Sequence, residues 1–274
     1  MMENNIKNKI KVLALDLDGT LTNEDKGITE RTKKAIHYAI GRGIKIVLAS
    51  GRPTIGITHV AEQLQLQELG GYIAGYNGGQ ITDCKTGEIV FESKLPKKCY
   101  SQICRLAKER GLDALSYDHK GVLTEAAENQ YVLREAYNCG IPVTKVESLE
   151  ETVTWDVVKF MLVGDVEKIA RHLKFFQEKF EGLANVFLSE PWFMEFAAPG
   201  IDKAAGLKQL IDHLNITKDE LCAVGDGLND ITMLGYAGHA VAMGNSCNEV
   251  MAIADFITKS NDEDGVAVFI EEFL

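Results

Sequence analysis

The sequence predicts an α/β protein with a mostly parallel sheet, and three observations predict it. Short apolar strands alternate with helix-period segments up to residue 82, and the same alternation resumes with Lys203–Leu214 as helix and Leu221–Val224 as strand. Between them the pattern changes to shorter strands, a hairpin signal at Lys85-Thr86-Gly87, and two amphipathic helices at Pro96–Arg110 and Val166–Phe180. Residues 1–82 and 192–274 therefore read as one core, with 83–191 as an inserted α/β domain.

Ile10–Leu15 is the first strand, its apolar segment Val12–Leu15 running into the acidic loop. Thr29 suits an N-cap, Ala35, Ile36, Ala39 and Ile40 repeat on one helical face, and Gly41–Gly43 supplies the stop. Ile44–Ala49 is the second strand, and Pro53 suits the first turn of the helix that follows. Tyr72–Ala74 is a third strand, closed by the turn signal Asn77-Gly78-Gly79.

Length and composition describe a globular chain without naming its chemistry. A chain of 274 residues with 46% hydrophobic content can bury a sizeable core. A formal charge of −11 with no basic stripe argues against nucleic-acid or membrane partners. The polar start Met1–Lys9 lacks a secretory apolar stretch, and no run approaches the roughly 20 apolar residues of a membrane span. The expected location is the cytoplasm. The cysteines at 84, 99, 104, 139, 222 and 247 form no Cys-x-x-Cys pair and read as free, mostly buried thiols. No histidine pair has metal-ligand spacing.

Chemistry concentrates at the strand ends. Asp16-Leu17-Asp18-Gly19-Thr20-Leu21 follows the first strand. If the strand continued, Asp16 and Asp18 would share a face. Two carboxylates about 4 Å apart repel by roughly 4 kcal/mol at an effective dielectric of 20, so the pair calls for a cation or a proton. Leu48-Ala49-Ser50-Gly51-Arg52 ends the second strand, Lys203 stands at a helix start, and Gly225-Asp226-Gly227-Leu228-Asn229-Asp230 follows the strand Leu221–Val224. Taken singly, each has a plainer explanation: a solvated turn, a capping hydroxyl, an exposed lysine. Four of them in order do not.

In these motifs the chain resembles the haloacid dehalogenase superfamily, whose phosphatases open on Asp-x-Asp-x-Thr. The tail Thr258-Lys259-Ser260-Asn261-Asp262-Glu263-Asp264-Gly265-Val266 resembles that of the Cof-like branch with its sugar phosphatases. The resemblance covers nearly the whole chain and implies a Rossmann-like core with an inserted α/β cap. One departure is local: Ala204 stands where the family often has a glycine after its lysine.

Phosphoryl transfer needs an in-line nucleophile, neutralised phosphate oxygens and a proton for the leaving alcohol. The resemblance assigns Asp16 as nucleophile, forming an aspartyl-phosphate, and Asp18 as acid and base, with Thr20 holding Asp18. It assigns Mg²⁺ to the side chains of Asp16 and Asp226 and the backbone carbonyl of Asp18, consistent with hard oxygen ligands. Ser50 and Lys203 are the expected phosphate grips, with Lys203 also spanning to Asp16; Thr20, Gly51, Arg52, Asn77, Gly78 and Asn229 complete the expected phosphate or substrate contacts. Asp230 is expected to support the metal loop. Arg52 divides between phosphate recognition and a structural ion pair, Asn77-Gly78-Gly79 between substrate contact and a hairpin, and Glu195 between lining the site and a solvated or paired glutamate. Tyr131 and Arg134 are candidate cap contacts beside a surface-helix reading.

The expected activity is Mg²⁺-dependent hydrolysis of a small phosphorylated metabolite, with sugar phosphates leading. The alternatives are a phospho-accepting signalling or phosphotransfer protein, or a phosphomutase. Receiver domains are shorter and have no inserted domain before the lysine, Asp18 counts against dehalogenation, and the membrane spans of ion-pumping relatives are missing from the sequence.

Overall fold

The computed structural model describes residues 9–274; the polar start read from the sequence lies, apart from Lys9, outside the described residues. In chain order the strands are β1 (Val12–Asp16), β2 (Lys45–Ala49), β3 (Tyr72–Gly75), β4 (Gln80–Asp83), β5 (Ile89–Glu92), β6 (Asp113–Tyr117), β7 (Val122–Thr124), β8 (Val143–Lys145), β9 (Lys159–Val163), β10 (Asn185–Glu190), β11 (Phe193–Ala197), β12 (Leu221–Gly225), β13 (His239–Ala242) and β14 (Phe256–Ile257). The longer helices are α1 (Glu30–Gly41), α2 (Ile55–Gln63), α3 (Tyr100–Glu109), α4 (Gln130–Cys139), α5 (Val166–Lys179), α6 (Lys203–His213), α7 (Ile231–Tyr236) and α8 (Gly265–Phe273).

The described residues divide into two compact units, one of residues 9–50, 57–91 and 202–274, the other of 51–56 and 92–201. Both divisions of the insertion fall later than the sequence suggests. The Lys85-Thr86-Gly87 turn, whose Lys85 and Thr86 amides donate to Asp83 Oδ1, joins β4 to β5 at the edge of the first sheet, and β11 belongs to the second. A hairpin signal marks a turn and does not say which sheet it serves.

The first unit carries an eight-stranded sheet ordered β14-β13-β12-β1-β2-β3-β4-β5, parallel from β14 to β3 and antiparallel at β3–β4. Residues of β1 alternate between its faces: Leu13 and Leu15 join α1, α2 and α8 in one core, Val12 and Ala14 join α6 and α7 in the other. Thr29 caps α1 as expected, its Oγ1 accepting from Thr32 N at 3.1 Å. Pro53 lies in the turn before α2, its carbonyl accepting from Gly56 N, so the helix starts two residues later than the proline suggests. In register, Leu15 faces Val224 and Asp16 faces Ala49, so the carboxyl ends of β12, β1 and β2 lie abreast. That is where α/β sheets place their ligands.

The second unit has a six-stranded sheet ordered β10-β11-β9-β6-β7-β8. Phe160 and Leu162 of β9 and Met194 and Phe196 of β11 share a core with α3 and α5, tightened by edge-on ring contacts of Phe196 with Phe176 and Phe180. The alternate residues of those strands include Lys159 and Glu195, both 3% exposed. Among the described residues no helix is long and apolar enough to cross a membrane.

Candidate active site

The strand ends in the first unit converge on one buried cluster. β1 stops at Asp16, and the next residues fold tightly back: Leu21 N donates to Asp16 O, and Thr20 N and Thr22 N to Leu17 O. Gly19 makes this turn with φ +85°, and a Cβ there would lie 2.4 Å from Asp226 Oδ2, so only glycine lets the Asp226 carboxylate approach.

Asp16 is 5% exposed, and its Oδ1 accepts from Lys203 Nζ at 2.5 Å. Lys203, the first residue of α6, also donates to Asp230 Oδ1 at 2.6 Å. The other Asp230 oxygen accepts from Asp226 N and Gly227 N, both at 2.9 Å. One carboxylate thus fixes the lysine and the loop that presents Asp226. Thr20 Oγ1 donates to Asp226 Oδ1 at 2.8 Å. This corrects the expectation that Thr20 holds Asp18: once β1 ends, the turn aims Thr20 across to the β12 loop. β1 ends at Asp16, so Asp18 lies beyond the strand; its Oδ1 accepts from Lys26 Nζ at 2.7 Å in an exposed pair, and its charge adds to the rise of the Asp226 carboxyl.

Oxygens of Asp16, Asp226 and Asp230 lie within 4.8 Å of one another. Three carboxylates against the single Lys203 ammonium leave two excess negative charges if all ionise. The electrostatics register this imbalance. Burial pushes the Asp16 carboxyl up to about 8, with Lys203 opposing it and Asp230 and Asp226 adding to it. Burial also raises Asp226, against the Thr20 hydrogen bond. Burial works to strip the Lys203 proton, and Asp16 and Asp230 outweigh it, holding the ammonium at about 12. A divalent cation fits this donor set: its charge matches the excess, and hard oxygens are its ligands. Both Asp230 oxygens are committed to hydrogen bonds, so Asp16 and Asp226 are the side chains that would hold it.

The remaining expected residues join this cluster unevenly. Ser50 is buried after β2, its amide donating to Ala74 O and its carbonyl accepting from Asn77 N. Tyr76 and Asn77 both have positive φ and make the β3–β4 turn, and Asn77 Oδ1 is buried without a hydrogen-bond partner. Gly78, at φ +83°, packs on the start of α6: a Cβ there would lie 2.5 Å from Asp202 O, and one on Gly206 would lie 2.6 Å from Gly78 Cα. The glycine pair lets α6 come close enough to place Lys203. Asn229 is exposed on the loop after β12. Gly51 and Arg52 group with the second unit, where Gly51 O accepts from Lys159 Nζ at 3.3 Å. Glu195 is paired, 3.1 Å from Lys159. Tyr131 donates to Asp165 Oδ1, and the Arg134 guanidinium stacks 3.8 Å over Trp192.

Sequence reasoning missed a brace on the Asp16 loop. Asn245 Nδ2 donates to Gly19 O at 2.8 Å, its Oδ1 accepts from Asn261 N, and Asn261 Nδ2 donates to Thr22 O. The only signal was a Gly-Asn pair just after a strand, indistinguishable from an ordinary turn.

The family model for a haloacid dehalogenase-like hydrolase matches residues 13–270. A crystal structure of a haloacid dehalogenase-like hydrolase from Bacteroides thetaiotaomicron is 39% identical, with a TM-score of 0.94 over 97% of this chain and 100% of that one. The 5-amino-6-(5-phospho-D-ribitylamino)uracil phosphatase YcsE of Bacillus subtilis is 30% identical over 271 residues, 97% of this chain and 96% of that protein. The structure of a subclass IIB sugar phosphatase of the superfamily is 27% identical, with a TM-score of 0.80 over 96% of this chain and 98% of that one. Motifs, topology and these likenesses agree over nearly the whole length, and the chain belongs to the haloacid dehalogenase-like hydrolases.

Proposed function

We propose that the protein is a cytoplasmic, Mg²⁺-dependent phosphatase of small phosphorylated metabolites, sugar or polyol phosphates first. The observation that carries the reading is the buried arrangement of Asp16, Asp226 and Asp230 around Lys203, whose excess negative charge suits a divalent cation and, with it, a phosphate. Two relatives are named for substrates that support the class, a sugar phosphate and a phosphorylated ribityl chain. Both are polyhydroxylated carbon chains bearing a phosphate. Six free cysteines agree with a reducing compartment.

In this reading Asp16 attacks phosphorus in line; an Oδ–P bond forms as the ester P–O bond breaks, and Asp18 gives the leaving alkoxide its proton. Asp18 then takes a proton from water as that water attacks the aspartyl-phosphate, and the Oδ–P bond breaks to release phosphate. Lys203 holds Asp16 in place and offsets the charge of the phosphate oxygens. Ser50 and Asn77, joined through their backbones, would hold the phosphate from the β2 side. Mg²⁺ bound by Asp16 and Asp226 would supply electrophilic stabilisation of the phosphoryl oxygens. The Asp18–Lys26 pair must open for Asp18 to act as an acid.

The test is phosphate release from sugar phosphates, polyol phosphates, nucleotides and cofactor phosphates, with and without Mg²⁺, with Asp16→Asn protein as the contamination control. Metal-dependent release lost in the variant is expected. No release from any member, with acetyl phosphate labelling Asp16 durably, would replace the reading with a phospho-accepting role.

A further inference from the structure

Lys26 is a charged residue beside the site that the chemistry above leaves without a task. Its ammonium donates to Asp18 Oδ1 at 2.7 Å, and both partners belong to the first unit. Neither is hidden: the Lys26 side chain is 63% exposed and that of Asp18 38%. Exposed ion pairs add little to stability, so this one is a poor brace, and its ammonium is easily passed to another acceptor.

The backbone, by contrast, is built to hold Lys26 in place. Asn23 N donates to Gly27 O at 3.0 Å, Asn23 O accepts from Lys26 N at 3.0 Å, and Asn23 Oδ1 accepts from Gly27 N at 2.8 Å. This turn is tied to the loop after β14, with Thr22 O accepting from Asn261 Nδ2 and Glu24 N donating to Asp262 Oδ1, each at 3.0 Å. Within it Lys26 takes φ +60°, a left-handed conformation that is costly for a lysine and that the surrounding bonds enforce.

The same geometry says which part of a substrate Lys26 meets. Asp18 lies near enough to Asp226 for its charge to act on that carboxyl, so it links Lys26 to the acidic cluster. An acid that protonates the leaving alkoxide must touch the ester oxygen, and a group in contact with that acid lies beside the leaving group. When Asp18 turns to the ester oxygen, the Lys26 ammonium loses this acceptor next to the first carbons of the leaving group. A compact ammonium suits a single oxygen there. We propose that Lys26 is a specificity-determining residue: it exchanges Asp18 for an oxygen on the carbon next to the ester carbon, and so favours polyol and sugar phosphates hydroxylated at that position. The role rests on the phosphatase reading and deepens it.

The test pairs two substrates with the wild type and two variants. Glycerol 3-phosphate and 3-hydroxypropyl phosphate have the same length and differ by one hydroxyl, on the carbon next to the ester carbon. With Mg²⁺ present, wild-type kcat/KM should favour glycerol 3-phosphate by about 10-fold, the scale of one hydrogen bond to a charged group. Where turnover is slow, inhibition constants against a hydrolysed sugar phosphate give the corresponding ratio. Lys26→Met should bring the ratio close to one by loss on glycerol 3-phosphate, and Lys26→Arg, which keeps a charged donor, should retain most of it. Any effect of freeing Asp18 falls on both substrates and cancels in the ratio. A wild-type ratio near one, or a ratio that Lys26→Met leaves unchanged, overturns the role alone and leaves an active phosphatase. Wild-type protein that hydrolyses no phosphate ester retires the phosphatase reading, and this role with it.

Discussion

Asp230 and Lys203 meet at 2.6 Å inside the first unit, and the same carboxylate accepts from two backbone amides of the loop that carries Asp226. Asp230 therefore couples the lysine to the acidic loop. It engages Lys203 with one oxygen and the Asp226 and Gly227 amides with the other. In Asp230→Asn, one amide oxygen can still serve the loop, but an NH₂ group then faces the ammonium. The expected result is a 10- to 100-fold fall in turnover, the usual scale for groups that orient ligands, with the fold retained. Phosphate-release kinetics alongside circular dichroism check it; wild-type turnover would show that Lys203 is placed by Asp16 alone.

Thr20→Val removes the donor to Asp226 Oδ1 while keeping the side chain's shape. Without it, the Asp226 carboxyl, already raised by burial, rises further and competes less well for a cation. The Mg²⁺ concentration giving half-maximal activity should increase by about 10-fold or more, with kcat at saturating Mg²⁺ changing little. An unchanged Mg²⁺ dependence would mean that Asp226 does not hold the metal.

What the sequence made legible, and what it hid, follows from the range of each interaction. Strand β1, helix α1 and the acidic loops are local patterns, written in apolar runs, Thr29 and Gly225-Asp226-Gly227, and they stand where expected. Thr20 and Asp226 are 206 positions apart, so no local pattern pairs them, and a local reading joins Thr20 to its sequence neighbour Asp18 instead. The Asn245–Gly19 brace spans 226 positions and was invisible for the same reason. The turn at Lys85-Thr86-Gly87 was legible as a turn, but which sheet it closes depends on pairings that the turn itself does not encode.

Gly78 is where the backbone of the β3–β4 turn admits α6. Alanine there meets two obstacles, a left-handed φ of +83° and a Cβ 2.5 Å from Asp202 O. The first costs about 1–2 kcal/mol, and overpacking adds roughly 1–3 kcal/mol. Gly78→Ala should therefore unfold at lower denaturant with the m-value kept, and lose activity as α6 and Lys203 shift. Gly87→Ala, at φ +73° with open space around its Cβ, is the control: a smaller loss of stability and no loss of turnover.

The last prediction joins pH to the metal. Asp16 rises from an ordinary 3.8 to about 8 through burial, so folding favours its protonated form. Its contribution to stability is fully present below 3.8 and is lost as pH rises through about 8. A cation that binds only the ionised site recovers what ionisation costs, and stabilises by RT ln(1 + [L]/Kd), about 2.7 kcal/mol at 100 Kd. The rise in Tm produced by saturating Mg²⁺ should therefore be small at pH 5 and grow towards pH 8. In Asp16→Asn, which has no proton to lose at that position, much of this growth should vanish, while Asp226→Asn should abolish the Mg²⁺ effect at every pH. Thermal unfolding with and without Mg²⁺ across that range measures all three. A Mg²⁺ increment that is flat with pH in the wild type would mean that Asp16 is already ionised without metal, its charge met in full by Lys203.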